Sequence, residues 1–225
     1  MVSNLVGLGL YTVKEASLLT GITPINIRRW LYGYENSSGE KRIEPLWHPQ
    51  LENSELEGLG FHDLLEIRFV NAFRKYGVSL QSIRLASLSA KELYDSPYPF
   101  TCKHFRTDGR NIFAKVFEET GEEKLIELTK KQYVIREVIN PSLYAGIEFE
   151  EDVATKWYPV ARKKSVVLNP KISFGKPIVE KYGVPTSTLY EAYCVEKDKK
   201  LVARIYDVSV DKVSDAIEFE ELIAA

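Results

Sequence analysis

The chain has two cysteines, three histidines and one methionine among 225 residues, and its 30 basic side chains nearly cancel its 32 acidic ones. Each shortage excludes something. Cys102 and Cys194 are too few and too far apart for a disulfide framework, so two reduced, mostly buried thiols in a cytoplasmic protein are expected. His48, His62 and His104 are dispersed, with only Cys102 and His104 close in sequence; no metal and no other cofactor is expected. A formal net charge of −2 gives no global attraction to nucleic acid, so any such affinity must come from a local patch. No apolar run approaches the length of a membrane span, and the N-terminus lacks the basic-then-apolar order of a signal peptide. Enzyme signatures are missing as well. Gly7-Leu8-Gly9 has no third glycine and no preceding strand, and Phe174-Gly175-Lys176-Pro177 lacks the rest of a phosphate-binding loop. No nucleophile elbow or metal-ligand spacing occurs, and a non-enzymatic protein is expected.

What is present is a pair of short, well-punctuated helices. Thr12 stands at an N-cap position with Glu15 three residues on, the capping-box spacing. The first helix runs through Ala16 and Leu19 to Thr20, and Gly21-Ile22 supplies a tight turn. Thr23 is a second N-cap, and Pro24 takes the first helical position, where a missing N–H costs nothing. Two helices joined this way are the usual frame for placing a recognition helix in the DNA major groove. On the second helix Ile27, Trp30 and Leu31 share one side and should pack inward. Ile25 and Arg29 point away, flanked by Asn26 and Arg28. Arginine grips phosphate or guanine edges and asparagine pairs with adenine. The same pattern would also suit a helical hairpin with a solvated polar face.

After that pair, residues 33–60 are rich in Gly, Pro, Ser and Asn. Residues 39–43 and 45–47 read either as a ribbon lying on the DNA backbone, with Lys41 and Arg42 as phosphate contacts, or as a solvated loop diluted by Glu35, Glu40 and Glu44. An amphipathic helix is expected over 62–76, with Leu65, Phe69, Ala72, Phe73 and Tyr76 as its stripe. Gly77-Val78 breaks it, and Ser79 caps a further helix from Leu80 to about Tyr94. Asp108-Gly109 between apolar arms predicts a β-hairpin over 105–113. Strands are expected over 125–128, 147–149 and 166–168, with a helical turn over 130–138. The C-terminal part returns to helices: one carrying Leu189, Tyr190, Tyr193 and Cys194, a short one over 199–206, and a last one from Asp211. That last helix bears Asp211, Asp215, Glu218, Glu220 and Glu221 against Lys212 alone. Phosphates would repel it, so it suits a protein partner or, by Val213, Ala216 and Ile217, the chain's own core.

Tyr11 to Leu31 resembles the N-terminal helix-turn-helix of the MerR superfamily, with its Glu-Ala, Thr-Gly-Ile-Thr and Ile-Arg elements. Phe61 to Arg84, with Gly77-x-Ser79-Leu80-x-x-Ile83-Arg84, resembles that superfamily's second helix pair. Leu168-Asn169-Pro170, Gly175-Lys176-Pro177 and Val184-Pro185-Thr186 are similar to a small helix-turn-helix domain of VapB-type antitoxins. Together these cover about two-thirds of the chain. The ribbon carries fewer arginines than is usual in the superfamily, and no heptad run follows Tyr94 to form its dimerising coiled coil.

The expected architecture is α+β: a winged helix-turn-helix domain over 1–96, a small β-rich linking or dimerisation segment over 97–163, and a three-helix antitoxin-like domain over 164–225. The resemblance implies an antitoxin of a type II toxin–antitoxin pair, a homodimer that binds operator DNA and neutralises a toxin, typically a ribonuclease. Thr23, Asn26, Arg28, Arg29, Lys41 and Arg42 are the expected DNA contacts, and Asp211, Asp215, Glu218 and Glu221 the expected toxin contacts. The competing expectation is a stand-alone transcriptional regulator with a sensor pocket in residues 97–165, where Phe149, Trp157 and Tyr158 would serve as lining.

Overall fold

Thr12 opens the first helix as its spacing requires: its Oγ1 accepts from the Glu15 N–H at 3.1 Å, and its own N–H donates to Glu15 Oε2 at 2.7 Å. The computed structural model describes residues 6–35, 42–52, 58–120 and 141–224. Helix α1 (Val13–Thr20) ends on Gly21, in the left-handed region, and α2 (Pro24–Tyr32) begins on Pro24 three residues later. Two short strands follow, β1 (Tyr34–Glu35) and β2 (Arg42–Ile43), paired antiparallel with Tyr34 opposite Ile43. Helices α3 (Phe61–Lys75) and α4 (Leu80–Tyr94) come next, the second capped by Ser79 Oγ on the Ser82 N–H. A 3-10 turn at Pro99–Thr101 leads into α5 (Phe105–Thr120). The chain then forms an antiparallel meander of β3 (Ile147–Glu150), β4 (Val153–Trp157), β5 (Val166–Leu168) and β6 (Pro177–Val179). Helices α6 (Thr186–Glu196), α7 (Lys199–Ile205) and α8 (Val210–Ala224) close it. The fold is α+β. The strand expected over 125–128 and the helical turn over 130–138 lie outside the described residues.

The hairpin expected at 105–113 is a helix. Phe105, Ile112, Phe113, Val116 and Phe117 are all buried, at i, i+7, i+8, i+11 and i+12. Phe105 meets Phe73 and Phe100, and Phe113 meets Phe73, at ring-centroid distances of 5.0 to 6.3 Å. Burying each such side chain is worth roughly 1.5–3 kcal/mol, whereas Gly109 in a helix interior costs about 1 kcal/mol. The stripe outweighs the turn dipeptide. Described residues 97–163 therefore hold a sixteen-residue helix beside the β3–β4 pair, and are not simply β-rich.

Helix α3 runs through the middle of the larger core. Phe61, Leu64, Leu65, Ile67, Phe69, Val70 and Phe73 are each no more than 1% exposed, so its buried face is far wider than one stripe. The same core takes in Phe100 and Tyr144 and, from the sheet, Ala154, Trp157 and Leu168. A second core gathers Leu189 of α6, Val202 of α7, and Val213, Ala216 and Ile217 of α8. The apolar side of α8 thus faces the chain's own interior. Tyr11 ties the two ends of the sequence together: its buried hydroxyl donates to Gly175 O at 2.7 Å, and the neighbouring Leu10 N–H donates to Phe174 O at 2.9 Å. Gly175 sits at φ +82°, and a Cβ there would run into the Tyr11 hydroxyl, so the turn that superficially resembles a phosphate loop is a docking point.

Candidate nucleic-acid interface

The polar face of α2 is outward as its periodicity requires. Ile27, Trp30 and Leu31 are buried against α1 and α3, while Thr23, Arg28 and Arg29 are exposed and Asn26 is half-buried. Ile25, 62% exposed, stands among these polar groups as an apolar contact able to meet a thymine methyl. Thr23 makes no side-chain cap bond, so its hydroxyl is not held by the helix start. The Arg29 guanidinium lies 5.0 Å from the Tyr34 ring centroid, which orients it along β1.

The β1–β2 ribbon is pinned beside this helix. Leu46 N donates to Trp30 O at 2.9 Å, and the Tyr32 hydroxyl donates to Gly58 O at 2.8 Å. From α4, Arg84 donates Nη1 to Pro45 O and Nη2 to Glu44 O, both at 2.6 Å. That clamp has no local signal in the sequence beyond the Ile83-Arg84 dipeptide. Arg42 is exposed on β2, with Nη2 3.4 Å from Tyr32 O and Nε 3.8 Å from Glu44. Lys41 lies outside the described residues. Lys14, Arg28 and Arg42 line an 820 Å³ cleft together with Glu44 and Glu52. Lys14 was not among the expected contacts. Gly33, at φ +72°, turns the chain from α2 into β1 where a Cβ would strike Ile43 O.

Behind the ribbon, two buried carboxylates fix the frame. Asp63 accepts from Trp47 Nε1 at 2.8 Å, Gly60 N at 2.9 Å and Gln50 N at 3.0 Å, which fastens the loop after the ribbon to the start of α3. Burial nevertheless pushes its pKa up to about 6. Glu66, fully buried, accepts from Thr101 N at 2.8 Å, Thr101 Oγ1 at 2.9 Å and Phe100 N at 3.4 Å, and burial pushes it up to about 8. Neither residue stood out in the sequence, because each looks like one more acid on a polar face.

The acidic groups of α8 divide. Asp211 and Glu221 are exposed. Asp215 is largely buried and held by Lys163 at 3.3 Å and Lys212 at 3.0 Å; Glu218 bonds the same Lys163 at 2.6 Å. Glu220 accepts from the Thr186 hydroxyl. Lys163, remote in sequence, thus neutralises part of a face that looked uniformly negative.

A cavity of 410 Å³ sits between the N-terminal helices and β4, lined by His62, Tyr98, Thr101, Cys102, Asp152 and Ala154 among others. His62 and Tyr98 stack at 4.9 Å, and burial brings the His62 pKa down to about 4, leaving a neutral ring. Asp152 Oδ2 accepts from His104 at 2.7 Å, while its Oδ1 is buried without a partner among the described residues. Phe149, Trp157 and Tyr158 do not line this cavity; Trp157 and Tyr158 are packed into the cores at 4% and 1% exposure. Both thiols are free, but only Cys102 is buried and Cys194 is exposed, since α6 turns it outward. Among the described residues no helix is long and apolar enough to cross a membrane.

No family model matches the chain. Over 226 aligned residues, covering 93% of this chain and 92% of the other, it is 27% identical to a Mycobacterium tuberculosis protein named "Putative antitoxin VapB45". The crystal structure of Rv2018 from Mycobacterium tuberculosis shares the fold, with a TM-score of 0.65, 22% identity, and coverage of 94% of this chain and 98% of that one. The chain is therefore similar, along nearly its whole length, to a protein named as an antitoxin.

Proposed function

We propose that this chain is a cytoplasmic antitoxin of a type II toxin–antitoxin pair. It binds operator DNA through a MerR-like winged helix-turn-helix and neutralises a cognate ribonuclease toxin through its C-terminal helices. The observation that carries the reading is the outward face of α2: Thr23, Asn26, Arg28 and Arg29 project from a helix whose other side is buried, beside a pinned ribbon carrying Arg42. The near full-length similarity to a protein named as an antitoxin supports the toxin half. In this reading residues 1–96 hold DNA, 97–163 link or dimerise, and 164–225 meet the toxin, with Asp211, Glu218 and Glu221 as its acidic contacts and Asp215 held back by the chain's own lysines. Two copies place two α2 helices about one DNA turn apart on a near-palindromic site. Lys41 joins Arg42 at phosphate. Co-expression with each flanking small open reading frame, followed by purification on this chain alone, tests the reading. A stoichiometric partner that arrests growth when expressed by itself is expected; separate recovery of both products in mild salt would overturn the toxin half.

One observation favours the alternative, a stand-alone regulator. The 410 Å³ cavity is lined mostly by the middle segment and combines the His62–Tyr98 stack with Asp152 Oδ1, which is buried and unpartnered among the described residues. A sensor role predicts that a small-molecule panel raises the melting temperature of this chain without any partner protein, and silence across the panel removes that reading.

A further inference from the structure

Arg68 is in an unusual position for a cation. It projects from α3, half-buried, with its guanidinium carbon 4.3 Å from the centroid of the Trp157 ring on β4. Among the described residues, none of its nitrogens has a hydrogen-bond acceptor or a carboxylate within ion-pair distance, and Nη1 is sealed from solvent with no partner. Burial alone brings its pKa down to about 10, and no nearby acid holds the charge up. An arginine taken out of water is ordinarily paired, because stacking on a ring replaces only part of its lost hydration. Stacking leaves the N–H groups, which lie in the guanidinium plane, still able to donate, and a guanidinium donates strongly to oxyanions.

A pocket of 480 Å³ opens beside this group, a volume suited to a small molecule. Arg68, Asn71, Ala72 and Lys75 line it at i, i+3, i+4 and i+7, one stripe of α3, and Thr20 closes it from the end of α1. Its described lining offers two cations, an amide and the hydroxyls of Thr20 and Tyr76, with Phe69 and Leu143 as apolar walls, and no carboxylate. We infer that this pocket is a binding site for a small organic oxyanion, a carboxylate or phosphate on an apolar body, gripped by Arg68 and Lys75. The site is separate from the polar face of α2, yet it touches Thr20, the last residue before the turn between α1 and α2. Its occupant therefore packs against the frame that positions α2.

Thermal melting of the full chain in a phosphate-free, low-salt buffer tests this, with benzoate and inorganic phosphate as probes. Sodium chloride at matched ionic strength and choline are the controls. At about tenfold excess over Kd, mass action predicts a rise in Tm of roughly 3–6 °C above the chloride control. A response to benzoate alone assigns a carboxylate ligand, and to phosphate alone a phosphorylated one. Arg68→Met keeps an unbranched chain on Trp157 but removes the charge. It should abolish the response while melting no lower than wild type without ligand. Lys75→Gln, at an exposed position that folding does not depend on, should weaken the response severalfold. No rise beyond chloride from either anion overturns the inference, as does an equal rise in both variants or in choline.

Discussion

Replacing Arg29 with alanine separates the two ways in which α2 would hold DNA in the proposed function. The side chain is exposed and lies over the Tyr34 ring at 5.0 Å, a cation–π pair worth about 0.5–1 kcal/mol at such a site. Folding should therefore survive, with Tm lower by no more than roughly 4 °C. If Arg29 reads a base edge, operator affinity falls by about 1–3 kcal/mol, on the order of 5- to 150-fold, and a scrambled duplex is little affected. If it touches only phosphate, both duplexes weaken alike, and the slope of log K against log salt shrinks by about 0.9 for each contact removed, or about 1.8 for a dimer. Fluorescence anisotropy on operator and scrambled duplexes across a salt series distinguishes the cases. Tyr34→Ala, which unseats the guanidinium without removing it, should give the same pattern at smaller amplitude. Unchanged affinity for both duplexes would refute the assignment of α2 as the DNA-reading helix face at this position.

Asp63→Ala strands three donors, Trp47 Nε1, Gly60 N and Gln50 N, and should cost about 3–5 kcal/mol in urea unfolding, with Asp63→Asn intermediate; a loss under about 1 kcal/mol would show that the loop is fixed by other contacts. Glu66 has its folded pKa raised to about 8, so the folded state holds the proton. Its contribution is complete below the ordinary carboxylate pKa and is lost as pH rises through about 8. Wild-type stability should decline from pH 5 to 9 while Glu66→Gln declines less, and parallel curves would contradict the proton's location. Tyr11→Phe leaves Gly175 O without its buried donor and should cost about 1–3 kcal/mol by thermal melting, whereas a surface substitution stays within about 0.5 kcal/mol.

Local signals were the legible ones. The capping box at Thr12 and Glu15, Pro24 at a helix start, Ser79 as a cap and the inward trio Ile27, Trp30 and Leu31 all concern partners within a turn or two, and all hold in the structure. The miss at 105–113 was also local. Asp108-Gly109 is a two-residue signal, and the apolar period from Phe105 to Phe117 overrides it. What spacing could not carry was tertiary partnership. Tyr11 finds Gly175 across 164 positions, and Arg84 reaches back to Pro45 across 39. Asp63 and Glu66 sit three apart on one helix and look like solvated acids, until the loop after the ribbon and the turn at Pro99–Thr101 arrive to donate to them.

The same limit governs the acidic C-terminal helix, and there it changes the chemistry. Read alone, α8 carries five acids against one lysine, a face that repels phosphate and invites a basic partner. In the fold, Lys163 comes in from beyond β4 and binds Asp215 and Glu218 together, while Lys212 takes the other oxygen of Asp215. Asp215 is left with little accessible surface and two cations of its own chain. A charge so engaged offers a partner little, because any new ion pair must first displace those already made. A basic toxin surface should accordingly feel Asp211 and Glu221, which are exposed, more than Asp215. Asp211→Asn with Glu221→Gln should weaken complex formation in a salt-dependent way, whereas Asp215→Asn should act mainly on stability. If Asp215→Asn weakens the complex at unchanged Tm, the partner reaches the Lys163 cluster itself, and the buried acid belongs to the interface after all.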